Sequence, residues 1–125
     1  METNRIRVLA VDHSQLLLQG LWELIRQQPD MEAVGVAATA DEAVALFAKF
    51  RPEVTLIDLD LPSDKGLRAI ERILQIDPDA CIVGLLTYEW DEAAVAARRA
   101  GAWMCLAKDH LHTDLPNVIR ERCAK

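Results

Sequence analysis

Four polar side chains of complementary charge each follow a short apolar run in this sequence. They are Asp12, Asp58, Thr87 and Lys108, and the runs before them cover residues 6–11, 54–57, 81–86 and 103–107. Short apolar runs favour strands that are buried on both faces of a parallel sheet. Because ligands of an open α/β sheet bind beyond the carboxyl ends of its strands, we expect the four groups to meet at one edge. Two carboxylates, a hydroxyl and an ammonium group could there hold a divalent cation and a phosphoryl group together.

The apolar runs alternate with segments of helical periodicity along the whole chain. Expected strands cover residues 6–11, 31–38, 54–58, 81–86 and 103–107. Expected helices cover residues 16–28, 40–50, 67–76 and 91–100, and residues 60–66 are expected to form a loop. Thr39 and Glu42 form a capping box, and Gly101 is placed to end the fourth helix. For the last helix we expect Thr113 or Asp114 as the N-cap and Pro116 in the first turn.

Strict alternation of strands and helices predicts the fold class. We expect an α/β fold of the (βα)5 type, with a five-stranded parallel sheet in the flavodoxin-like order 2-1-3-4-5 and helices on both faces. The second strand carries Glu32 and Gly35, which places it near an edge of the sheet. This order makes the first and third strands neighbours, so Asp12 and Asp58 should lie side by side.

Length, composition and charge limit the possible functions. The 125 residues fit one domain, residues 1–125, with 51% hydrophobic and 27% charged residues. A net charge of −6 argues against direct contact with nucleic acid, which needs a basic surface. We expect neither a membrane span nor a secretory signal, because no apolar run is long enough for a span and residues 1–5 are not the apolar segment of a signal. Cys81, Cys105 and Cys123 are odd in number and scattered, as expected of reduced thiols in a cytoplasmic protein.

Four separate segments resemble the receiver (CheY-like) domains of bacterial two-component response regulators. The segments are Val8-Leu9-Ala10-Val11-Asp12-His13, Leu56-Ile57-Asp58-Leu59-Asp60-Leu61-Pro62, Leu85-Leu86-Thr87, and residues 100–109 with Lys108-Asp109 at their end. The resemblance covers essentially the whole chain. Lys108-Asp109 and Gly20-Leu21 are most similar to receivers of the helix-turn-helix (LuxR-type) regulators. We therefore expect either a free-standing receiver or the receiver half of a longer regulator.

The resemblance implies a role for each of the polar groups. Asp58 would accept a phosphoryl group from a histidine kinase or a phosphotransfer protein. Asp12, Asp58 and the backbone carbonyl of Asp60 would bind Mg²⁺, which prefers oxygen ligands. Lys108 would pair with Asp58 and then with the phosphate, and Thr87 would hydrogen-bond the phosphate and move with it. The added charge would switch a surface near the fourth helix, fifth strand and fifth helix, for an effector domain or a homodimer, with no membrane partner.

Three positions depart from the family pattern. His13 stands where the family has a second acid, and an imidazole suits Zn²⁺, Ni²⁺ or Cu²⁺ better than Mg²⁺. Mg²⁺ affinity should therefore fall unless Asp60 or water compensates, although His13 could instead be a surface or capping residue. Tyr88 follows the switch Thr, where it either crowds the phosphate pocket or points to solvent. Cys105 replaces the aromatic residue or His that usually moves with the switch, so it is either an inert buried thiol or a redox sensor.

Four further side chains bear on phosphate and partner binding. Asp60 and Glu89 lie two positions beyond the acceptor and the switch residue, where two acids would repel an anionic phosphodonor and position water, unless they are solvated loop charges. Trp103, and Trp90 in the loop after the switch residue, either pack on a helix or anchor an interface. If exposed, Trp103 marks a partner surface.

Three other functions are alternatives to a phosphorylated receiver. A degenerate receiver would bind a partner without phosphorylation, which His13, Tyr88 and Cys105 favour. A phosphatase of the haloacid dehalogenase type would use Asp58 and Asp60 as an Asp-x-Asp signature, but here that signature closes the third strand and not the first. A flavin-binding electron carrier would need a Gly/Ser/Thr-rich phosphate loop, which residues 13–16 do not provide. We therefore expect a signalling domain and not an enzyme.

Overall fold

The computed structural model describes residues 4–87 and 92–123, which form one parallel sheet flanked by helices. The strands are β1 (Ile6–Val11), β2 (Met31–Ala37), β3 (Val54–Asp58), β4 (Cys81–Leu86) and β5 (Met104–Ala107). The helices are α1 (Gln15–Arg26), α2 (Ala40–Phe50), α3 (Lys65–Ile76), α4 (Glu92–Ala100) and α5 (Leu111–Cys123). The strand order is β2-β1-β3-β4-β5 and every pair is parallel, which confirms the predicted fold.

The sheet separates two hydrophobic clusters because successive strand residues point to opposite faces. In β1, Val8 and Ala10 pack towards α1 and α5, whereas Leu9 and Val11 pack towards α2, α3 and α4. All five residues of β3 are buried, since this strand lies in the middle of the sheet. Polar side chains therefore collect at the strand ends, and β2 is an edge strand as predicted. None of the described helices has the length and apolar character needed to cross a membrane.

Local signals fix several helix ends close to the site. The Thr39 hydroxyl accepts a hydrogen bond from Glu42 N–H at 3.2 Å, which is the first bond of the predicted capping box. In its second bond, the Glu42 carboxylate accepts from Ala38 N–H at 3.0 Å instead of from the N–H of Thr39. Gly101 ends α4 with a φ of 121°, as predicted for a C-terminal cap. Ser14 is the N-cap of α1, where its hydroxyl accepts from Leu17 N–H at 3.2 Å. That cap was not predicted, and it lets α1 begin at the next residue.

The last helix begins earlier than its sequence suggests, so the predicted cap at Thr113 or Asp114 is wrong. A 3-10 turn, Lys108–His110, leads directly into α5. The helix starts at Leu111 because Leu111 and Leu115 lie four residues apart on one face and are both buried in the core. The Thr113 hydroxyl instead donates to the carbonyl of His110 at 3.1 Å, and Pro116 lies inside the helix rather than in its first turn.

Other boundaries also differ from the prediction, and one of them cannot be compared. Residues 60–66 are only partly a loop, because a 3-10 turn (Pro62–Asp64) and the first turn of α3 take up residues 62–66. β5 begins at Met104, one residue later than expected, although Trp103 N–H still donates to the carbonyl of Ile82 at 2.8 Å. The expected start of the fourth helix at residue 91 lies outside the described residues.

Candidate functional site

The carboxyl ends of the strands bring together the four polar groups that the sequence singles out. Asp12 follows β1, Asp58 ends β3, Thr87 follows β4 and Lys108 follows β5. β1 and β3 are adjacent, so the two aspartates lie side by side as predicted. Both carboxylates are fully buried, and the rest of the described buried core is apolar except for Thr55 in β3. Two carboxylates at the end of an apolar sheet require compensating charge.

Lys108 supplies that compensating charge. Its Nζ lies 2.8 Å from Asp58 Oδ1, 3.1 Å from Asp12 Oδ2 and 3.4 Å from Asp60 Oδ2. Burial lowers the pKa of Lys108, but its hydrogen bond to Asp58 and its charge interactions with Asp58 and Asp12 outweigh burial and raise the pKa above its usual value. Lys108 is therefore a fixed ammonium group among three carboxylates.

Asp58 accepts hydrogen bonds at both of its carboxylate oxygens. Oδ1 accepts from Lys108 Nζ and from Asp60 N–H, each at 2.8 Å. Oδ2 lies 2.6 Å from His13 Nδ1 and accepts from His13 N–H at 3.4 Å. Burial raises the pKa of Asp58, but the bonds from Lys108, His13 and Asp60 N–H outweigh it and set the pKa below its usual range. Asp58 is thus an ionised carboxylate near neutral pH, as a nucleophile must be.

Asp12 has the opposite electrostatic balance. Its Oδ1 accepts from Ser14 N–H at 2.8 Å, while its buried Oδ2 has no hydrogen bond and only the ion pair with Lys108. Burial and the neighbouring charge of Asp58 raise the pKa of Asp12, although Ser14 N–H and Lys108 act in the other direction. A buried carboxylate oxygen without a hydrogen bond is a ready ligand for a cation.

His13 joins the site directly. Besides its 2.6 Å contact with Asp58, Nδ1 lies 3.6 Å from Asp12 Oδ1, and about half of the side chain is exposed. One ligand atom from each of Asp12, His13 and Asp58 can be chosen so that all lie within 4.8 Å of one another, a spacing that suits a metal ion. The sequence left open whether His13 faces the site, because chain position does not fix the direction of a side chain.

Thr87 contacts Asp60, a contact that the sequence did not predict. The Thr87 hydroxyl donates to Asp60 Oδ2 at 2.7 Å, and Thr87 N–H donates to the same oxygen at 3.1 Å. Asp60 is therefore part of the site and is not a solvated loop charge. The described contacts of Asp60 involve its N–H and its carboxylate, so the role of its backbone carbonyl as a metal ligand stays a prediction.

The remaining candidates lie at the margin of the site or outside the described residues. Cys105 is half-buried, its Sγ lies 3.9 Å from the carbonyl of Ala94, and burial raises the pKa of its thiol, which agrees with an inert residue. Trp103 is half-buried against the core beside α1 and α5, with the Arg122 guanidinium 5.8 Å from its ring centre. This favours packing on a helix over an exposed anchor. Predictions for Tyr88, Glu89 and Trp90 concern residues outside the described part of the chain.

Comparison with known sequences gives the chain a family. The family model described as "Response regulator receiver domain" matches residues 8–120, which include the groups at the strand ends. The chain is 33% identical over 120 residues to the uncharacterized transcriptional regulatory protein YxjL of Bacillus subtilis strain 168, covering 96% of this chain and 55% of that protein. It is 35% identical over 104 residues to a protein-glutamate methylesterase/protein-glutamine glutaminase of Shewanella frigidimarina, covering 82% of this chain and 26% of that protein.

Solved structures show the same architecture. The response regulator domain of Thermotoga maritima CheB matches with a TM-score of 0.87 and 26% identity, over 97% of this chain and 98% of that chain. A LuxR-family two-component response regulator from Aurantimonas sp. SI85-9A1 matches with a TM-score of 0.82 and 27% identity, over 97% of this chain and 89% of that chain. The chain therefore spans between a quarter and about half of the two curated relatives, and nearly all of the CheB domain.

Proposed function

Since the chain belongs to the family of response regulator receiver domains of two-component systems, we propose that its Asp58 accepts a phosphoryl group from a histidine kinase or a phosphotransfer protein. The observation that carries this proposal is a fully buried Asp58 carboxylate whose pKa lies below its usual range, because the hydrogen bonds from Lys108, His13 and Asp60 N–H together outweigh the effect of burial. A buried carboxylate held ionised beside a fixed ammonium group is an arrangement for nucleophilic chemistry on an anionic substrate.

The transfer joins an Asp58 oxygen to phosphorus as the bond between phosphorus and the donor breaks, which leaves an acyl phosphate. Both oxygens already accept hydrogen bonds, so the attacking oxygen must give up at least one of them. Negative charge on the transferring group is the main obstacle, and Lys108 can offset it by turning from Asp58 to a phosphoryl oxygen. Thr87, which follows β4, can donate its hydroxyl to another of those oxygens.

Receiver domains bind Mg²⁺ through acidic residues, and part of this site fits that ion. The carboxylates of Asp12 and Asp58 are oxygen donors, and Asp12 Oδ2 is buried without a hydrogen bond. His13 does not fit Mg²⁺, which prefers oxygen ligands. Its Nδ1 atom lies 2.6 Å from Asp58 Oδ2, at the position where the family has a second acid. We propose that Asp12, Asp58 and the backbone carbonyl of Asp60 hold Mg²⁺ with reduced affinity. When bound, Mg²⁺ would neutralise charge on the phosphoryl group.

Receiver domains interact with histidine kinases or phosphotransfer proteins and with output domains. We propose that the output surface of this chain is the face of α4, β5 and α5, because Thr87 lies between β4 and α4 and Lys108 joins β5 to α5. Either an effector domain or a second copy of the chain could bind there. We further propose that residues 1–125 act as one receiver domain that turns over no other substrate and contacts no nucleic acid. Its cytoplasmic location stays a prediction.

Intact-mass spectrometry tests the proposed transfer. We expect one phosphoryl adduct after incubation with acetyl phosphate and Mg²⁺, and none in the Asp58→Asn variant, which keeps the shape of the side chain but removes the nucleophile. Glu71→Gln, a change at an exposed acid of α3, is the matched control and should behave as wild type. A wild-type protein that takes no phosphoryl group, from this donor with Mn²⁺ or from a histidine kinase, would leave the degenerate receiver as the better account.

A further inference from the structure

One oxygen atom of Asp60 gathers three hydrogen-bond donors at the site. Its Oδ2 lies 2.7 Å from the Thr87 hydroxyl, 3.1 Å from Thr87 N–H and 3.4 Å from Lys108 Nζ. Thr87 and Lys108 follow adjacent strands, β4 and β5, so these donors come from two neighbouring loops. We call the Thr87 N–H, the Thr87 hydroxyl and the Lys108 ammonium group the oxyanion cradle.

The oxyanion cradle has the chemistry of a site for a charged oxygen. A hydroxyl, a backbone N–H and an ammonium group are all donors, and convergence on a single atom is favourable only if that atom carries negative charge. Preorganised donors of this kind stabilise phosphoryl oxygens during transfer. Two of them, the Lys108 ammonium group and the Thr87 hydroxyl, are also the donors that the proposed function assigns to the phosphoryl group on Asp58.

We infer that the Asp60 carboxylate occupies the place of a phosphoryl oxygen in the unphosphorylated protein. Asp60 and an incoming phosphoryl group are both anions and require the same donors, so they cannot use the oxyanion cradle together. Phosphorylation must therefore displace the Asp60 carboxylate from these donors. Before phosphorylation, Thr87 is already held in place by its two hydrogen bonds to Asp60. The displacement of Asp60 from the oxyanion cradle rests on the proposed phosphorylation of Asp58. The presence of the Asp60 carboxylate in the oxyanion cradle of the unphosphorylated protein does not.

The backbone around Asp60 allows this exchange. Asp60 N–H is fixed on Asp58 Oδ1 at 2.8 Å, and the flanking Leu59 and Leu61 are buried, so the main chain is held in place. The Asp60 side chain is 27% exposed, which gives the carboxylate a route to solvent by rotation about its own side-chain bonds. Displacement therefore needs no movement of β3, and the phosphoacceptor stays in position.

The occupancy is tested by NMR on the protein without phosphodonor, in wild type, Asp60→Asn and Asp60→Ala. The Thr87 amide should exchange with solvent about tenfold faster in Asp60→Ala than in wild type, because that change removes a charge-assisted hydrogen bond. Asp60→Asn should give an intermediate rate, since it keeps an acceptor oxygen but loses the charge. Glu71→Gln should match wild type. Equal exchange of the Thr87 amide in wild type and Asp60→Ala would overturn the inference.

The displacement is tested by the initial rate of acetyl phosphate incorporation in the same four proteins. Both Asp60 variants should take up the phosphoryl group several-fold faster than wild type, because neither has to release a carboxylate from the oxyanion cradle. A rate in Asp60→Asn equal to or below that of wild type would overturn the competition. If none of the proteins is phosphorylated, the proposed function fails, while the amide exchange alone decides whether Asp60 occupies the oxyanion cradle.

Discussion

At Asp58 a buried carboxylate stays ionised because three donors outweigh the cost of burial. Lys108, His13 and Asp60 N–H all bond to it, and together they lower its pKa although burial raises it. His13 is the unusual member, because it adds a nitrogen ligand where an oxygen ligand would serve Mg²⁺ better. The residues around Asp58 therefore favour its ionised form as a nucleophile, while His13 is the reason for the reduced Mg²⁺ affinity that we propose.

Replacing His13 by Asp should raise the affinity for Mg²⁺ about tenfold, because the change supplies an oxygen donor and a negative charge. The same change should lower the affinity for Zn²⁺ and Ni²⁺, which favour imidazole. Calorimetric titration of each ion into metal-free protein measures both effects. His112→Asp, at an exposed histidine of α5, makes the same change of charge and should leave both affinities near wild type. Unchanged Mg²⁺ affinity in His13→Asp would exclude position 13 from the metal site.

The sequence predicted which residues meet, and the family resemblance implied the pair of Lys108 with Asp58, but the other contacts were not predicted. Asp12, Asp58, Thr87 and Lys108 could be placed at one edge because each follows a strand, and parallel strands end at the same edge. The bond between Thr87 and Asp60 could not be predicted, since it depends on side-chain torsion angles that no local pattern encodes. The same holds for the side on which the His13 ring lies.

Among the elements, the boundaries that the sequence misplaced are those set by tertiary packing. α5 starts at Leu111 because that side chain enters the core, although the later Thr, Asp and Pro look like a helix start. α3 starts early enough to place Gly66 in its first turn against β3. A Cβ atom at Gly66 would lie 2.3 Å from the carbonyl oxygen of Asp58. The close approach of α3 to the end of β3 therefore requires glycine.

Gly66→Ala should lower the free energy of unfolding by about 1–3 kcal/mol, because the added methyl group must push α3 away from the Asp58 backbone. Urea denaturation measures this change. Gly20→Ala in α1 is the matched control, since a Cβ atom there meets nothing within 4 Å. The control should stabilise the protein by up to about 1 kcal/mol through helix propensity. Equal effects of the two changes would contradict the close packing of α3 on β3.

α5 is tied to the connection between α1 and β2 by Arg120. Its Nε lies 2.8 Å from one oxygen of Asp30 and one of its terminal nitrogens lies 2.9 Å from the other. The hydrogen bond from Arg120 lowers the pKa of Asp30. A lowered folded-state pKa means that the stabilisation is present above the unfolded pKa of about 3.9 and is lost as the pH falls through the folded value.

Asp30→Asn should therefore be less stable than wild type at neutral pH, and the difference should narrow as the pH falls below about 3.9. Urea midpoints at neutral pH and at the lowest pH where the protein still folds measure the difference. Glu71→Gln provides the comparison for loss of an exposed charge. A difference in stability that stays constant over this pH range would show that the Asp30 charge does not contribute through Arg120.

Folding of the whole chain is what brings Asp12 and Asp58 together in one site. Asp12 follows β1 and Asp58 ends β3, and these two strands pair in parallel between the two hydrophobic clusters. Because the pKa of Asp12 is raised, ionisation of this buried carboxylate costs stability as the pH rises from its unfolded to its folded pKa, and the full cost applies above the folded pKa. The family match over residues 8–120 includes both Asp12 and Asp58.

Asp12→Asn should raise Tm by several degrees in the presence of a chelator at neutral pH, because a neutral amide replaces an unfavourable buried charge. Millimolar Mg²⁺ should raise Tm of wild type, since the ion binds only the folded state, and should have little effect on the variant. Thermal unfolding followed by circular dichroism measures both shifts. A lower Tm for Asp12→Asn without metal would mean that the Asp12 charge stabilises the fold through Lys108.

The measurement that tests the central claim most directly is chemical localisation of the acyl phosphate. The protein is incubated with acetyl phosphate and Mg²⁺ and then reduced with borohydride, which converts a phosphorylated aspartate to homoserine. Peptide mass spectrometry should find homoserine at position 58 alone, and none in Asp58→Asn. Homoserine at Asp12 or Asp60, or at none of the aspartates while a phosphoryl adduct is present, would contradict Asp58 as the phosphoacceptor.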